Sequence, residues 1–299
     1  DEINSLLIAS KVSKFQESAT GKKFTVKSNI TKKKFFQIVN KAKQYIKKED
    51  IFQVVLSQRF ETILTKKPIE IYKKLRVTNP SPFMFFFNFN DFKIIGASPE
   101  ILVRLRNNVI TVRPIAGTRP RGRNNKEDNL LKKDLINDKK ELSEHLMLLD
   151  LGRNDAGKVS KINTIKVTEK FKIEKYSHVM HIVSNVTGIY DKKFSKFEAL
   201  MAGFPAGTVS GAPKIRAMEI IDELEKNSRK IYAGGIGYFS ANGDFDTCIA
   251  LRTAITKNNK FYVQAGAGIV ADSKPINEYN ETINKAKALI KSLEKWKYF

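Results

Sequence analysis

Residues 84–112, MFFFNFNDFKIIGASPEILVRLRNNVITV, contain four short runs rich in aromatic and branched aliphatic residues. Three residues separate each run from the next, and these separators contain Asn, Asp, Ser and Pro, which favour turns. This pattern predicts four consecutive strands with no helix between them, at 84–88, 92–97, 101–105 and 109–112.

The rest of the chain adds both strands and helices around this segment. Further strands are predicted at 52–63, 236–239, 246–254 and 261–265, and helices at 33–48, 134–151, 195–201, 213–225 and 278–296. Strands and helices do not alternate strictly, so the sequence predicts an α+β fold with antiparallel sheets rather than a doubly wound α/β fold.

Composition places limits on the class of protein. The chain has 299 residues, of which 41% are hydrophobic, enough for one large domain or two tightly joined lobes. Its one cysteine, Cys248, cannot form an internal disulfide, so we expect a reducing compartment and a cytoplasmic protein. No apolar run approaches the length of a membrane span, and we expect that the acidic N-terminus is not a signal peptide.

The formal net charge of +23 raises the possibility of nucleic-acid binding. The lysines are spread along the chain, however, and no helix-turn-helix, zinc-finger or RNA-binding signature accompanies them. We therefore expect no nucleic-acid partner and interpret the charge as a solvated surface whose field also attracts anionic substrates.

Two segments each carry a pair of glutamates at helical spacing. Glu141 and Glu144 lie in one, and Glu278 and Glu281 lie in the other. Residues three apart share one face of a helix, so each segment can direct two carboxylates into a common space. The simpler alternative is a solvated helix face. If all four carboxylates converge, their repulsion calls for a hard divalent cation, and Mg²⁺ is the usual choice.

Eleven motifs in a collinear order resemble the chorismate-utilising enzymes, and among them the aminase components (component I) of anthranilate synthases. They are DIFQVVLSQRF from residue 50, NPSPFMF from 79, GASPE from 96, RPIAGTRPRG from 113, ELSEHLMLLDLGRND from 141, YSHVMHIVS from 176, GTVSGAPKIRAM from 207, GGIGYF from 234, DTCIALRTA from 246, QAGAGIV from 264 and NETINKA from 280. One such motif alone is weak evidence, but their shared order extends over nearly the whole chain.

The resemblance implies two large antiparallel sheets packed as a sandwich with helices outside and the active site in a cleft. It assigns 31–299 to a chorismate-binding catalytic domain and 1–30 to the end of a regulatory segment or linker that lies mostly upstream. Pro82, Phe83 and Met84 match part of a tryptophan feedback site. We expect the chain as given not to respond to tryptophan.

The resemblance also assigns site residues. Glu100 is the expected general acid, His181 the base or hydrogen-bond donor, and Thr208 a further catalytic residue. Glu144 and Glu281 are expected to bind Mg²⁺, with Glu141 and Glu278 behind them. The expected substrate-binding residues are Gly117, Thr118, Tyr238, Arg252, Gly266, Ala267, Gly268 and Lys285.

Two of these assignments include a local structural prediction. The glycines of QAGAGIV predict a sharp turn after a strand, with exposed N–H groups that bind a carboxylate; a tight turn without a ligand is the alternative. Arg252 is predicted to lie on a strand and to clamp a carboxylate in bidentate fashion. Tyr238 is expected to supply a hydroxyl to the substrate. The alternatives are a surface ion pair for the arginine and a core position for the tyrosine.

The activity that the resemblance implies is the Mg²⁺-dependent conversion of chorismate and ammonia to anthranilate and pyruvate, the first step of tryptophan biosynthesis. It implies a glutamine amidotransferase partner (component II), in a heterotetramer. Aminodeoxychorismate synthase is the nearest alternative, followed by isochorismate and salicylate synthases. Those relatives carry lysines at the positions of Ala116 and Gln53, respectively, so these two residues favour amination at ring carbon 2.

Overall fold

The computed structural model describes residues 25–176 and 179–293. In this part of the chain, two seven-stranded sheets form in which every strand pair is antiparallel. Helices pack against both sheets. The predicted α+β class with two antiparallel sheets is confirmed.

The first sheet has the strand order β1-β2-β14-β13-β4-β3. Strand β10 also pairs with β2, at a different part of β2 from the part that pairs with β1. Its strands are β1 (Lys27–Ser28), β2 (Gln53–Ile63), β3 (Phe83–Asn88), β4 (Phe92–Ser98), β10 (Gly211–Ala212), β13 (Thr253–Lys257) and β14 (Lys260–Ile269). The longest pairing joins β2 to β14. The floor of the candidate site lies on this pair.

The second sheet has the order β11-β12-β5-β6-β9-β7, with β8 also paired to β9. Its strands are β5 (Ile101–Arg106), β6 (Val109–Val112), β7 (Ile115–Pro120), β8 (Lys166–Lys175), β9 (Val179–Ile189), β11 (Gly235–Phe239) and β12 (Phe245–Ile249). The four strands predicted in residues 84–112 form as expected. They divide evenly between the two sheets.

The described helices cover these sheets. They are α1 (Lys32–Lys47), α2 (Pro68–Thr78), α3 (Asn125–Asn137), α4 (Lys139–Gly157), α5 (Lys196–Met201), α6 (Lys214–Leu224) and α7 (Pro275–Lys291). Helices α2 and α7 contribute Leu75 and Leu289 to a core with the first sheet, and α4 contributes Leu149 to a core with the second. No helix in the described part of the chain is long and apolar enough to cross a membrane.

Two element predictions are wrong. The helix predicted at 134–151 is two helices, because Asp138 interrupts it and its carboxylate accepts hydrogen bonds from the Lys140 and Glu141 N–H groups to begin α4. The strand predicted at 246–254 is two strands of different sheets, since β12 ends at Ile249 and β13 begins at Thr253. In both cases the sequence pattern is continuous, whereas the chain changes direction within the segment.

The chain passes between the sheets at two adjacent places. Pro99 and Glu100 join β4 to β5, and residues 250–252 join β12 to β13. Backbone hydrogen bonds hold these crossings side by side: the Ala97 N–H donates to the Arg252 carbonyl at 3.1 Å, and the Ile249 N–H donates to the Glu100 carbonyl at 3.0 Å. Glu100 and Arg252 therefore meet at the junction of the two sheets.

Two predictions lie mostly or partly outside the described residues. Of the segment assigned to 1–30, only residues from 25 onward are described, so this domain boundary stays a prediction. The last helix begins at Pro275 rather than at 278, and residues 294–296 of its predicted end are outside the described part.

Candidate active site

Glu100 is a buried acid at the junction of the sheets. The residue is only 7% exposed to solvent. Burial raises the pKa of its carboxyl to about 8, although Thr208, Lys285 and Arg252 oppose the shift. At neutral pH the carboxyl therefore retains its proton. This is the state that a general acid needs.

Thr208 lies beside this acid. Its hydroxyl is close enough to lower the pKa of Glu100, yet the two groups do not meet with good hydrogen-bond geometry. Among the described residues, the buried Oγ1 of Thr208 has no hydrogen-bond partner. A buried hydroxyl without a partner costs free energy, so this oxygen is suited to contact a ligand.

Arg252 lies at the second crossing and not on a strand, so its predicted placement is wrong. Its φ of 45° is in the left-handed region, because the chain must turn here from the second sheet to the first. Burial lowers the pKa of its guanidinium, while the charges of Glu100 and Tyr176 act against this. The guanidinium forms no ion pair or hydrogen bond with the described residues, which leaves its donors available to an anion.

His181 lies on β9 with one ring nitrogen engaged. Its Nδ1 is 3.0 Å from the Gly117 carbonyl oxygen and 3.1 Å from Thr118 Oγ1. Because a carbonyl only accepts, Nδ1 carries the proton, and Nε2 is the unprotonated nitrogen. Burial lowers the pKa of His181, so the ring is neutral near pH 7 and Nε2 is able to accept a proton.

Gly117 makes this contact possible. It has φ of +67° and lies at a bulge in the β7–β9 pairing, between Ala116 and Thr118. The bulge turns the Gly117 carbonyl toward His181. A side chain at this position is strained by the backbone conformation and meets Ile182 Cδ1 at 3.1 Å. The structure thus brings Gly117, Thr118 and His181 together, while their roles in catalysis and substrate binding stay predictions.

The QAGAGIV motif does not form the predicted turn. Gly266, Ala267 and Gly268 continue β14 and pair in register with Ser57, Leu56 and Val55 of β2. The glycines are needed for close packing. A Cβ on Gly266 would lie 2.8 Å from the Tyr232 hydroxyl, and one on Gly268 would lie 2.7 Å from Gln53 Nε2. This part of β14 is a flat floor on which other side chains lie.

The structure brings Tyr232 to this floor instead of Tyr238. Tyr232 is 8% exposed and its hydroxyl lies over Gly266. Tyr238 is on β11, at the edge of the second sheet, and is 56% exposed. In the sequence, Tyr232 stands in a short irregular segment and carries no periodic signal. Only the tertiary packing identifies it.

Lys285 joins the floor to the helix α7. Its Nζ donates to the Gly266 carbonyl at 3.0 Å and pairs with Glu281 Oε1 at 2.7 Å. Burial lowers the pKa of the Lys285 ammonium. The carboxylates of Glu281 and Glu144 outweigh the effect of burial, so the pKa of Lys285 is raised overall. About half of the Lys285 side chain remains exposed to solvent.

The four predicted glutamates occupy one region between α4 and α7. Burial raises the pKa values of Glu141 and Glu278, and the negative charge of Glu144 raises both further. Glu144 is therefore near enough to repel both Glu141 and Glu278, and a role of the four glutamates in metal binding stays a prediction. Glu144 Oε1 accepts a hydrogen bond from Gln53 Nε2 at 2.9 Å. Among the described residues, no three acidic, histidine or cysteine side chains already converge as a ligand set.

The donors nevertheless suit a hard cation. Carboxylate oxygens are the ligands that Mg²⁺ prefers, and a divalent charge would relieve the repulsion that raises the pKa values of Glu141 and Glu278. A bound cation would compete with the Lys285 ammonium for the Glu281 carboxylate.

The remaining predicted residues have simpler surroundings. Gln53 is 2% exposed and lies against Glu144, and Ala116 is on β7, two residues from Thr118. Phe83 and Met84 begin the edge strand β3, next to Pro82. A role for these last three residues in tryptophan binding stays a prediction.

Together, the described groups have charges and protonation states that suit a small anion. The guanidinium of Arg252 and the ammonium of Lys285 provide positive charge, and the protonated carboxyl of Glu100 and the neutral imidazole of His181 lie near them. This combination is that of an enzyme which binds a carboxylate and moves protons at it.

Comparison with known proteins agrees with this class. The model of the chorismate binding enzymes matches residues 3–291, and the chain belongs to this family. It is 61% identical over 269 residues to anthranilate synthase component 1 of Cereibacter sphaeroides, with 90% of this chain and 54% of that protein covered. The corresponding protein of Acetivibrio thermocellus is 57% identical over 269 residues, with the same coverage. The chain thus spans about half the length of the curated relatives it matches.

Solved structures give the same result. Anthranilate synthase component I from Streptococcus pneumoniae superposes with a TM-score of 0.87 at 47% identity, covering 96% of this chain and 65% of that one. A 2,3-dihydroxybenzoate-specific isochorismate synthase from Bacillus anthracis has a TM-score of 0.81 at 26% identity, covering 93% and 76%. The second match extends the fold to relatives of another specificity.

Proposed function

We propose that this chain is the aminase part of an anthranilate synthase, converting chorismate and ammonia to anthranilate and pyruvate with Mg²⁺. The observation that carries the proposal is Glu100, a buried carboxyl with a pKa of about 8 that lies close enough to Arg252 to feel its charge. The high identity to proteins named anthranilate synthase component 1 supports it.

The first step needs an acid. Ammonia attacks ring carbon 2, the double bonds shift, and the hydroxyl at carbon 4 departs. Hydroxide is a poor leaving group, so Glu100 gives it a proton and water leaves. A positioned acid contributes roughly 10²- to 10⁴-fold to such a step. The proton that the new amine loses restores the acid, so the step is balanced.

The second step needs a base. A proton is removed from carbon 2, the bond from carbon 3 to the ether oxygen breaks, and pyruvate leaves as its enolate. The enolate then takes up one proton, equal to the one that carbon 2 lost, and becomes pyruvate. Nε2 of His181 is the unprotonated nitrogen of a neutral ring, because Nδ1 donates to Gly117. We assign the proton abstraction to it.

Chorismate carries two carboxylates, and the site offers two kinds of group for them. Arg252 provides a guanidinium that has no ion-pair partner among the described residues. Glu144 and Glu281, with Glu141 and Glu278 close by, would hold Mg²⁺, which neutralises a carboxylate and fixes its position when it is bound. Lys285 and the hydroxyl of Thr208 complete the polar lining.

Two residues favour amination at carbon 2 over the reactions of relatives. Gln53 has no basic nitrogen, and its amide already binds Glu144, so it cannot activate water as a lysine can. Ala116 has no amine to attack the ring. The isochorismate synthase of similar fold makes water addition the second candidate function, and Gln53 argues against it.

The proposal includes a partner and a compartment. The single cysteine, Cys248, is buried in β12, and burial raises its thiol pKa to about 11, so it cannot serve as the nucleophile of a glutamine amidotransferase. The matched relatives are named component 1, so we assign the supply of ammonia to a separate amidotransferase subunit, component II, in a heterotetramer. One unpaired cysteine also suits the cytoplasm.

The test is an incubation with chorismate, Mg²⁺ and ammonium, followed by anthranilate fluorescence. We expect product with ammonium, and none with glutamine until an amidotransferase subunit is added. Absence of any chorismate consumption with ammonium, in protein shown to be folded, would refute the proposal.

A further inference from the structure

His181 is set into a cross-strand arrangement on the second sheet. On one side it pairs with Thr118 of β7, and on the other with Glu174 of β8. Residues that pair across neighbouring strands project to the same face of a sheet. The Glu174 carboxylate and the His181 ring therefore share one face, and Glu174 is the carboxylate whose charge raises the pKa of His181.

Tyr176 fills the space between these two residues. Its ring meets the His181 ring edge-on, with centroids 5.5 Å apart and an angle of 62°. Its hydroxyl donates to Glu174 Oε2 at 3.0 Å. Its backbone is fixed as well, because the carbonyl accepts from Arg121 Nη1 at 2.7 Å and the N–H donates to the Val179 carbonyl at 2.8 Å. Tyr176 thus has little freedom to move away from the imidazole.

Arg113 fixes the carboxylate behind the tyrosine. Its guanidinium binds both oxygens of Glu174, with Nη2 at 2.5 Å from Oε1 and Nη1 at 3.1 Å from Oε2. It also binds Glu169 Oε2 at 3.0 Å. A bidentate arginine clamp defines the position of a carboxylate more tightly than a single contact does. The direction of the Tyr176 hydroxyl is fixed in turn.

We propose that Tyr176 and Glu174, held by Arg113, are positioning residues that keep the His181 ring bound to Gly117 through Nδ1 and present Nε2 to the substrate. The inference rests on the proposed function of His181 as the base. The Tyr176 ring restricts rotation of the imidazole and excludes water. The Glu174 carboxylate stabilises the imidazolium that forms when Nε2 takes a proton.

The groups around His181 give opposite expectations for two substitutions. Burial lowers its pKa, as do the charges of Arg252 and Lys285, whereas the Gly117 carbonyl and Glu174 raise it. Glu174→Gln removes a negative charge, so it should lower the pKa of His181 further. Tyr176→Ala admits water to the ring, so it should raise the pKa toward the ordinary value of about 6.5.

The experiment is NMR of the protein labelled with ¹⁵N in the histidine rings. The chain has three histidines, and a His181→Asn variant assigns the signal. The variants are Tyr176→Phe, which keeps the ring and removes the bond to Glu174, Tyr176→Ala, and Glu174→Gln. Glu169→Gln is the matched control, because Glu169 also binds Arg113, whereas the Tyr176 hydroxyl donates to Glu174.

We expect one tautomer with Nδ1–H in the wild type and in Glu169→Gln, and a mixture of tautomers in Tyr176→Ala. The kcat with ammonium should fall roughly 10- to 100-fold in Tyr176→Ala and Glu174→Gln, with little change in KM for chorismate. It should fall only about three-fold in Tyr176→Phe, which retains the aromatic contact.

Unchanged tautomer and pKa in Tyr176→Ala, or equal effects of Glu174→Gln and Glu169→Gln, would overturn the inference and reduce Tyr176 to a packing residue. The ring signals are measured without substrate. An inactive wild type with the expected tautomer pattern would therefore refute the proposed function alone, and leave the positioning of His181 intact.

Discussion

Replacing Glu100 with glutamine should remove activity and at the same time stabilise the fold. With a pKa of about 8, roughly nine-tenths of Glu100 is protonated near pH 7 and ready to act as an acid. Glutamine has nearly the same shape and no acidic proton. We expect the rate of anthranilate formation to fall roughly 10²- to 10⁴-fold.

The stability effect follows from the same pKa. A carboxyl with a higher pKa in the folded than in the unfolded state binds more protons when folded, so the free energy of unfolding falls as the pH rises from about 4.5 to about 8. At about pH 7 this cost reaches up to about 3 kcal/mol. Glutamine does not ionise, so the Glu100→Gln variant has no such cost. Its free energy of unfolding should exceed that of the wild type by up to about 3 kcal/mol near neutrality, and by much less near about pH 4.

Two assays check these expectations. Urea unfolding at several pH values measures the stability difference, and fluorescence of anthranilate measures the rate, expressed per concentration of free ammonia because that concentration itself rises with pH. In the wild type, the rate so expressed should decline as the pH passes about 8, where Glu100 loses its proton. A Glu100→Gln variant that retains wild-type activity, or whose stability difference does not depend on pH, would refute the assignment of Glu100 as a buried acid.

Three further predictions test other parts of the site. Glu144→Gln or Glu281→Gln should abolish turnover while circular dichroism stays unchanged, and full wild-type activity in EDTA would contradict the proposed Mg²⁺ ligands. Arg252→Met should raise the KM for chorismate roughly thirty-fold, the equivalent of about 2 kcal/mol for a hydrogen bond to a charged group; an unchanged KM would exclude Arg252 from carboxylate binding. Gly117→Ala should lower the free energy of unfolding in urea by about 1–2 kcal/mol because of its positive φ, whereas Gly157→Ala, with its nearest neighbour at 4.0 Å, should not.

The sequence predicted the strands around Glu100 well because their signals are local. In residues 84–112, short apolar runs alternate with turn residues, and the strands that form have nearly the predicted bounds. Local pattern did not show that these strands divide between two sheets. The crossing at Glu100, which creates the buried acid, depends on pairing with β12 and β13, far away in the chain.

The errors in the site have the same origin. The run that contains Arg252 has strand composition throughout, and only the change of sheet breaks it. Glycine usually indicates a turn, but Gly266 and Gly268 stay in β14 because Tyr232 and Gln53 pack on them. Such contacts join residues distant in sequence, so periodicity does not report them.

The identity of the product tests the central proposal most directly. Wild-type protein incubated with chorismate, Mg²⁺ and ammonium should yield anthranilate and pyruvate in equal amounts when the mixture is resolved by chromatography, since Gln53 and Ala116 leave ring carbon 2 to ammonia and offer no other nucleophile. Isochorismate, salicylate or 4-amino-4-deoxychorismate as the main product would contradict the account.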